Sequence, residues 1–313
     1  TQKRSTIKPI RKKKLPEYKS FRLTRNIKPD KIKALPKSTQ LWKDTWLFMW
    51  KNRLPLAKFL AIYCVSYLVL VKGLNNFHLD VGSLKDKIDE VGAGNIGSAL
   101  GALAIYSSLV SSLTASTSDV TNFFQASTFI IFSLAFIWLV RRMHKSRPSS
   151  PVKDSFYVGM RPLIPFLIVL ATIVLEFVPA GLGILLLVTA QGASVIATDI
   201  EVTGIAVLAV LMLTLSIYLV AGSVFALYIV TLPKATPLLA LRSSMRLLRI
   251  HRWVVLRKVI SFFVMIFILG FFCVLPFIIW LPQYAEVAFF VMGCASFGVL
   301  HTYMYKLYRS MIS

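Results

Sequence analysis

Glu176 is the residue in this chain best placed to do chemistry. It is the one acidic side chain deep within a long apolar run, residues 163–190. An ionised carboxylate surrounded by hydrocarbon is costly, so such a group is a functional candidate by default. Pro179 follows three residues later. A proline has no N–H, so it frees a backbone carbonyl, as in the discontinuous helices that bind ions in transporters. The competing expectation is structural: the helix breaks at Pro179, and Glu176 faces headgroups or a cation on another helix, such as Lys72. A proton relay needs a chain of acids, and this run holds one. The structural reading is therefore preferred.

The other reactive residue types are dispersed. His78, His144, His251 and His301 fall in four separate segments, with no HExxH and no i, i+4 pair. A metal site is not expected from them. His144 and His251 read as interfacial cations. His301, near Tyr303, Tyr305 and Tyr308, reads as part of an aromatic belt at the membrane edge. Cys64, Cys273 and Cys294 lie in apolar runs without CxxC spacing and read as packing residues. No glycine-rich phosphate loop and no GxSxG is present. No cofactor is expected, and the chain reads as non-enzymatic.

Cations offer a second kind of chemistry. Residues 1–37 carry 14 Lys and Arg against Glu17 and Asp30, a net +12, with a run at Arg11, Lys12, Lys13 and Lys14. Pro9, Pro16, Pro29 and Pro36 interrupt this stretch, and it has no apolar periodicity. It reads as a disordered or extended arm. Tyr18 and Phe21 could stack on bases, so nucleic acid, a ribosome or an acidic protein are conceivable partners. Anionic lipid is the default, because each Lys or Arg near such a surface contributes ~1 kcal/mol. A second cationic group lies at 237–252. Arg242, Arg246 and Arg249 recur at i, i+4 and i+7 on one helical face; Leu238, Leu241, Met245 and Leu248 share another. Such a helix lies in the membrane interface, with leucines toward acyl chains and arginines toward phosphates. Trp253 stands where this helix meets the apolar run 259–281, at the level an indole prefers.

These groups are positioned by a membrane framework. The 313 residues are 56% hydrophobic and 16% charged, with mean hydropathy +0.69. Soluble domains carry about 25% charged residues. Runs at 54–71, 123–140, 163–190, 204–231, 259–281 and 285–304 are too long for barrel strands. The expected fold is an all-α integral membrane protein with six transmembrane helices in three hairpins. An amphipathic elbow helix precedes each hairpin, at 38–53, 151–161 and 237–252. The first elbow carries Trp42, Trp46 and Trp50. The 163–190 run would be ~42 Å long as one helix, beyond a core of ~30 Å, so it is expected to kink near Pro179. The loop 72–120 holds Asp80, Asp86, Asp89 and Glu90, then a small-residue stretch, 92–118, with Gly97 and Gly101. That stretch reads as a surface or re-entrant helix. One more crossing there would put Arg141, Arg142, Lys145 and Arg147 outside. Segments assigned to the cytoplasm hold 32 of the 36 Lys and Arg. That bias places both termini inside, in a plasma (inner) membrane of bacterial type. No signal peptide is expected, since the first apolar run starts near Leu54.

The elbows also repeat. Lys43-Asp44-Thr45-Trp46 matches Lys153-Asp154-Ser155-Phe156, with Lys51 and Arg161, then Pro55 and Pro165, at equal offsets. Arg242-Ser243-Ser244 keeps the basic residue and hydroxyl but lacks the acid and the proline. Three repeats follow, about 38–142, 151–232 and 237–309.

The third unit resembles a known family. Tyr228-Ile229-Val230, Thr236-Pro237-Leu238, Ala240-Leu241-Arg242-Ser243-Ser244, Leu247 and Trp253 are similar to the signature of six-span proteins. These include the membrane domain attached to some bacterial glycerophosphodiester phosphodiesterases. The resemblance covers about 50 residues closely and implies a six-span membrane fold. In that family the hydrolytic chemistry belongs to a separate soluble barrel, so no catalytic residue carries over. The functional expectation is a membrane scaffold or accessory factor that uses its arm; the alternative is a transporter or lipid- or ion-handling protein with its site near Glu176.

Overall fold

In lipid a chain must satisfy its own backbone hydrogen bonds, and the apolar runs do so as helices. The computed structural model describes residues 35–73, 119–144, 152–192, 199–233, 235–249 and 251–312, with isolated positions between 85 and 107. The regular elements among the described residues are helical. They are α1 (Ser38–Lys51), α2 (Arg53–Tyr67, continued by a π turn over Leu68–Lys72), α3 (Asp119–His144), α4 (Val152–Gly159), α5 (Leu163–Glu176) and α6 (Val178–Gly192). They continue with α7 (Asp199–Ser223), α8 (Ala226–Val230), α9 (Pro237–Leu248), α10 (Arg252–Trp280) and α11 (Pro282–Ile312). The arm residues Arg11–Lys14, the acidic positions 80 and 89, Gly97 and Arg147 lie outside the described residues.

Six helical stretches are long and apolar enough to cross a membrane: Arg53–Val71, Asp119–His144, Leu163–Ala190, Thr203–Val230, Arg252–Trp280 and Pro282–Ile312. They fit a multi-pass membrane protein. Two are interrupted. The third divides at Phe177 into α5 and α6, two residues before Pro179. The fourth divides between Ser223 and Ala226. Pro276 is accommodated inside α10.

Aromatic rings fill the seam between helices. Phe59 packs against Phe132, Phe136 and Phe156 with centroids 5.6, 5.3 and 5.2 Å away. Tyr63 stacks on Phe297 at 4.4 Å. Backbone approaches closely at Gly159, where a Cβ would lie 3.0 Å from Ala135 Cα. A second, smaller cluster joins Ala102 and Tyr106 to Val274, Ile278, Ala285 and Phe289 of α10 and α11. At least this part of the 92–118 stretch therefore packs on the bundle. The hairpin α6–α7 behaves differently. Its helices touch closely at Gly183 and Ala209, yet Val188 and Leu211 are each more than 60% exposed. Acyl chains are the natural cover for such surface.

The helices α1, α4 and α9 each pack on another helix. α4 follows α3, with Arg142 3.6 Å from Asp154 at one end and Gly159 against Ala135 at the other. α9 packs on α7 and α8, and Ser244 Oγ donates to the Gly222 carbonyl at 2.6 Å. α1 packs on α11: Trp42 stacks on Phe262 of α10 and meets Tyr303 of α11 at a tilt, and Asp44 interacts electrostatically with Lys306. Several expected lipid-facing positions turn inward as a result. Leu248 is fully buried and Leu241 half-buried, leaving Leu238 and Met245 as the exposed apolar pair of α9. Burial of Ala240 and Ser244 beside them explains this: the small face of α9 meets the protein and carries Leu248 with it. Trp42 likewise enters the bundle, while Trp46 and Trp50 remain exposed.

Candidate functional site

Glu176 ends α5 at the break in the third span. Its Oε2 accepts a hydrogen bond from Ser223 Oγ, at the last residue of α7. Seven residues earlier on α7, buried Ser216 Oγ accepts from the Ala180 N–H at 2.9 Å. Two hydroxyls on one face of α7 therefore brace the discontinuity from both sides. One satisfies the carboxylate, the other satisfies an amide in the first turn after the break. Pro179 occupies the second position of α6, where the missing N–H costs no helical bond. The partner of Glu176 is a neutral hydroxyl, where the sequence pointed to headgroups or Lys72. Glu176 is half-buried. Among the described residues no group of three or more His, Cys, Asp or Glu is placed to hold a metal ion.

The cations of α9 are arrayed as their spacing predicts. Arg242, Arg246 and Arg249 are all exposed. Trp253, on the first turn of α10, is 72% exposed. Arg252 beside it turns inward, with its guanidinium 4.0 Å from the Tyr218 ring centroid.

The arm joins the bundle at a defined point. Lys258 of α10 is buried, and its Nζ donates to the Pro36 carbonyl. The Tyr303 hydroxyl donates to the Lys258 carbonyl at 3.2 Å. Two residues past Pro36 the chain enters α1, and Trp42 inserts against Phe262 and Tyr303. Nothing in the sequence sets Lys258 apart from the other Lys and Arg that precede the apolar run 259–281.

Sequence reading missed a buried polar network. His301 is not a belt residue; it lies inside the bundle, ringed by Phe129, Phe136, Phe297 and Tyr228. Its Nε2 is 3.1 Å from Ser133 Oγ and its Nδ1 is 3.2 Å from the Tyr228 hydroxyl. Three spans meet at this imidazole: the second through Ser133, the fourth through Tyr228 and the sixth through His301. Nearby, Arg141 fastens the end of α8, donating to the Thr231 and Tyr228 carbonyls and to Thr231 Oγ1 at 2.8, 3.0 and 2.7 Å. The signal was a polar residue in each of the three runs, too common a feature to single these out.

Comparison with protein families, with curated proteins and with solved structures finds no match.

Proposed function

We propose that the chain is a non-enzymatic, multi-pass membrane scaffold or accessory protein that presents a basic arm to anionic lipid or to an acidic cytoplasmic partner such as a ribosome. The observation that carries this reading is the pinned arm root. Lys258 holds Pro36, and Trp42 packs against the touching rings of Phe262 and Tyr303. An arm of net +12 thus springs from a fixed point on a bundle whose seam is filled by aromatic side chains. In this reading both termini are cytoplasmic, the spans form three hairpins, and α1, α4 and α9 are elbows at the cytoplasmic interface. α4 tilts into the bundle along α3. The membrane is a bacterial plasma membrane, and the likeness of the third unit to the phosphodiesterase membrane domain supports the six-span platform alone.

Binding tests the arm. Removing residues 1–34 should weaken co-sedimentation with phosphatidylglycerol vesicles or ribosomes, and salt should weaken binding of the intact chain, because surface attraction decays within ~8 Å at physiological ionic strength. Unchanged binding to both targets would remove the arm from the account.

A transporter or lipid- or ion-handling role is the second reading. The break of the third span beside Glu176 favours it. Against it stand a carboxylate already engaged by Ser223 and the absence of a second acid in that span.

A further inference from the structure

We propose that Arg252 forms a discrete site for a phosphate group, the headgroup phosphate of an anionic phospholipid or a soluble phosphate ester, at the junction of α7, α9 and α10. The site is separate from the arm, so either can fail without the other.

Arg252 is the first residue of a 29-residue helix. That helix is ~43 Å long, against a hydrocarbon core of ~30 Å, so its first turns extend into the headgroup layer. Exposed Trp253 next in the chain fits that level. The guanidinium is held in place. One face covers the Tyr218 ring, and Nη2 sits so close to Gly222 that a Cβ there would be 2.7 Å away. Gly222 is itself fixed, since its carbonyl accepts from Ser244 of α9. Glycine, aromatic ring and hydroxyl anchor together make a seat for a planar cation.

The seated charge is not neutralised within the protein. Among the described residues Arg252 has no ion pair and no hydrogen bond, and its Nε is shielded from solvent without a partner. The neighbouring His251 Nε2 is in the same condition. Glu176, which meets α7 nearby, is committed to Ser223, the residue after Gly222. A rigid guanidinium fork with free donors matches the geometry of phosphate oxygens. Arg249, exposed one turn earlier, adds a second cation on the approach.

The test uses the purified full chain in mixed micelles of equal phosphatidylglycerol and phosphatidylcholine, with retained lipid read by native mass spectrometry. Arg252→Gln should lower phosphatidylglycerol retention about tenfold, the loss expected for one or two charge-assisted hydrogen bonds. Gly222→Ala, which keeps every charge but unseats the guanidinium, should do the same. Arg257→Gln removes an equal charge from an exposed position on the same helix and should change little. Unfolding temperatures in phosphatidylcholine alone verify that each variant is folded. A parallel arm adds glycerol phosphate or inorganic phosphate in neutral detergent. A rise in unfolding temperature there, lost in Arg252→Gln, supports the site and assigns it a soluble phosphate. Wild-type retention by Arg252→Gln, or an equal loss in Arg257→Gln, would overturn the proposal, since the effect would then be diffuse charge.

Discussion

Replacing His301 by leucine removes the hydrogen-bond partner of two buried hydroxyls, Ser133 and Tyr228. Leucine suits the surrounding phenylalanines, so the change is dominated by the orphaned polar groups. Orphaning a buried hydroxyl costs ~1–3 kcal/mol, while side-chain hydrogen bonds in membrane proteins contribute ~0.6 and at most ~1.7 kcal/mol. Two orphans therefore place the loss at about 2–4 kcal/mol. Reversible unfolding in detergent, followed by circular dichroism, measures it. The decisive comparison is the triple variant Ser133→Ala, Tyr228→Phe, His301→Leu. It removes every member of the network and leaves nothing unsatisfied, so it should recover at least half of the loss despite carrying two more substitutions. A triple variant as unstable as the sum of its parts would refute the reasoning, because the hydroxyls would then contribute by packing rather than by bonding to the imidazole.

Three further outcomes are expected. Glu176→Gln should be mild, because an amide oxygen can still accept from Ser223 and a neutral group costs less to bury; loss of ion or lipid flux in this variant, with the fold intact, would favour the transporter reading. Gly159→Val should lower stability by about 1–3 kcal/mol, because its side chain meets the backbone of Ala135 and Leu134, which cannot rotate away; unchanged unfolding would show that α4 is not held against α3. Cysteines placed at 86, 200 and 283 should label from outside intact cells and those at 20, 148 and 242 should not, with 242 used because Ser244 is buried; outside labelling at 148 would overturn the orientation.

What the sequence made legible was whatever hydrophobicity and spacing encode. Runs of apolar residues located the spans, and Pro179 located the break in the third to within two residues. The exposed arginine face of α9 was equally readable, since charge at i, i+4 and i+7 has one solvated side to occupy. Partners were not legible. In lipid an outward and an inward apolar residue look alike, so nothing in the pattern said that Leu248 faces protein and Leu238 does not. The same ambiguity hid His301, whose tyrosine neighbours in sequence suit a belt as well as a core. Lys258 was hidden for a different reason: its partner is a backbone carbonyl 222 residues away, and carbonyls carry no sequence signature.

The hydroxyl shared by the elbow motifs now has a physical reason. Thr45, Ser155 and Ser244 occupy equivalent positions in the aligned segments, and all three are buried and hydrogen-bonded to a carbonyl: Leu41, Val152 and Gly222. A small side chain lets each short helix lie close against its neighbour, and a hydroxyl bonded to backbone can be buried at little cost. The neighbours also follow a rule. α4 packs on the second span and α9 on the fourth, the span just before each in the chain; α1 packs on the sixth. That order is cyclic. The acids follow it as well, with Asp154 beside Arg142 and Asp44 near Lys306, while the third motif lacks the acid and uses Ser244 on Gly222 instead. Spans two, four and six then meet at Ser133, Tyr228 and His301. Three duplicated units closing into a ring would produce this pattern, with the polar network at its centre and the missing acid in the unit where, among the described residues, Arg252 has no carboxylate partner.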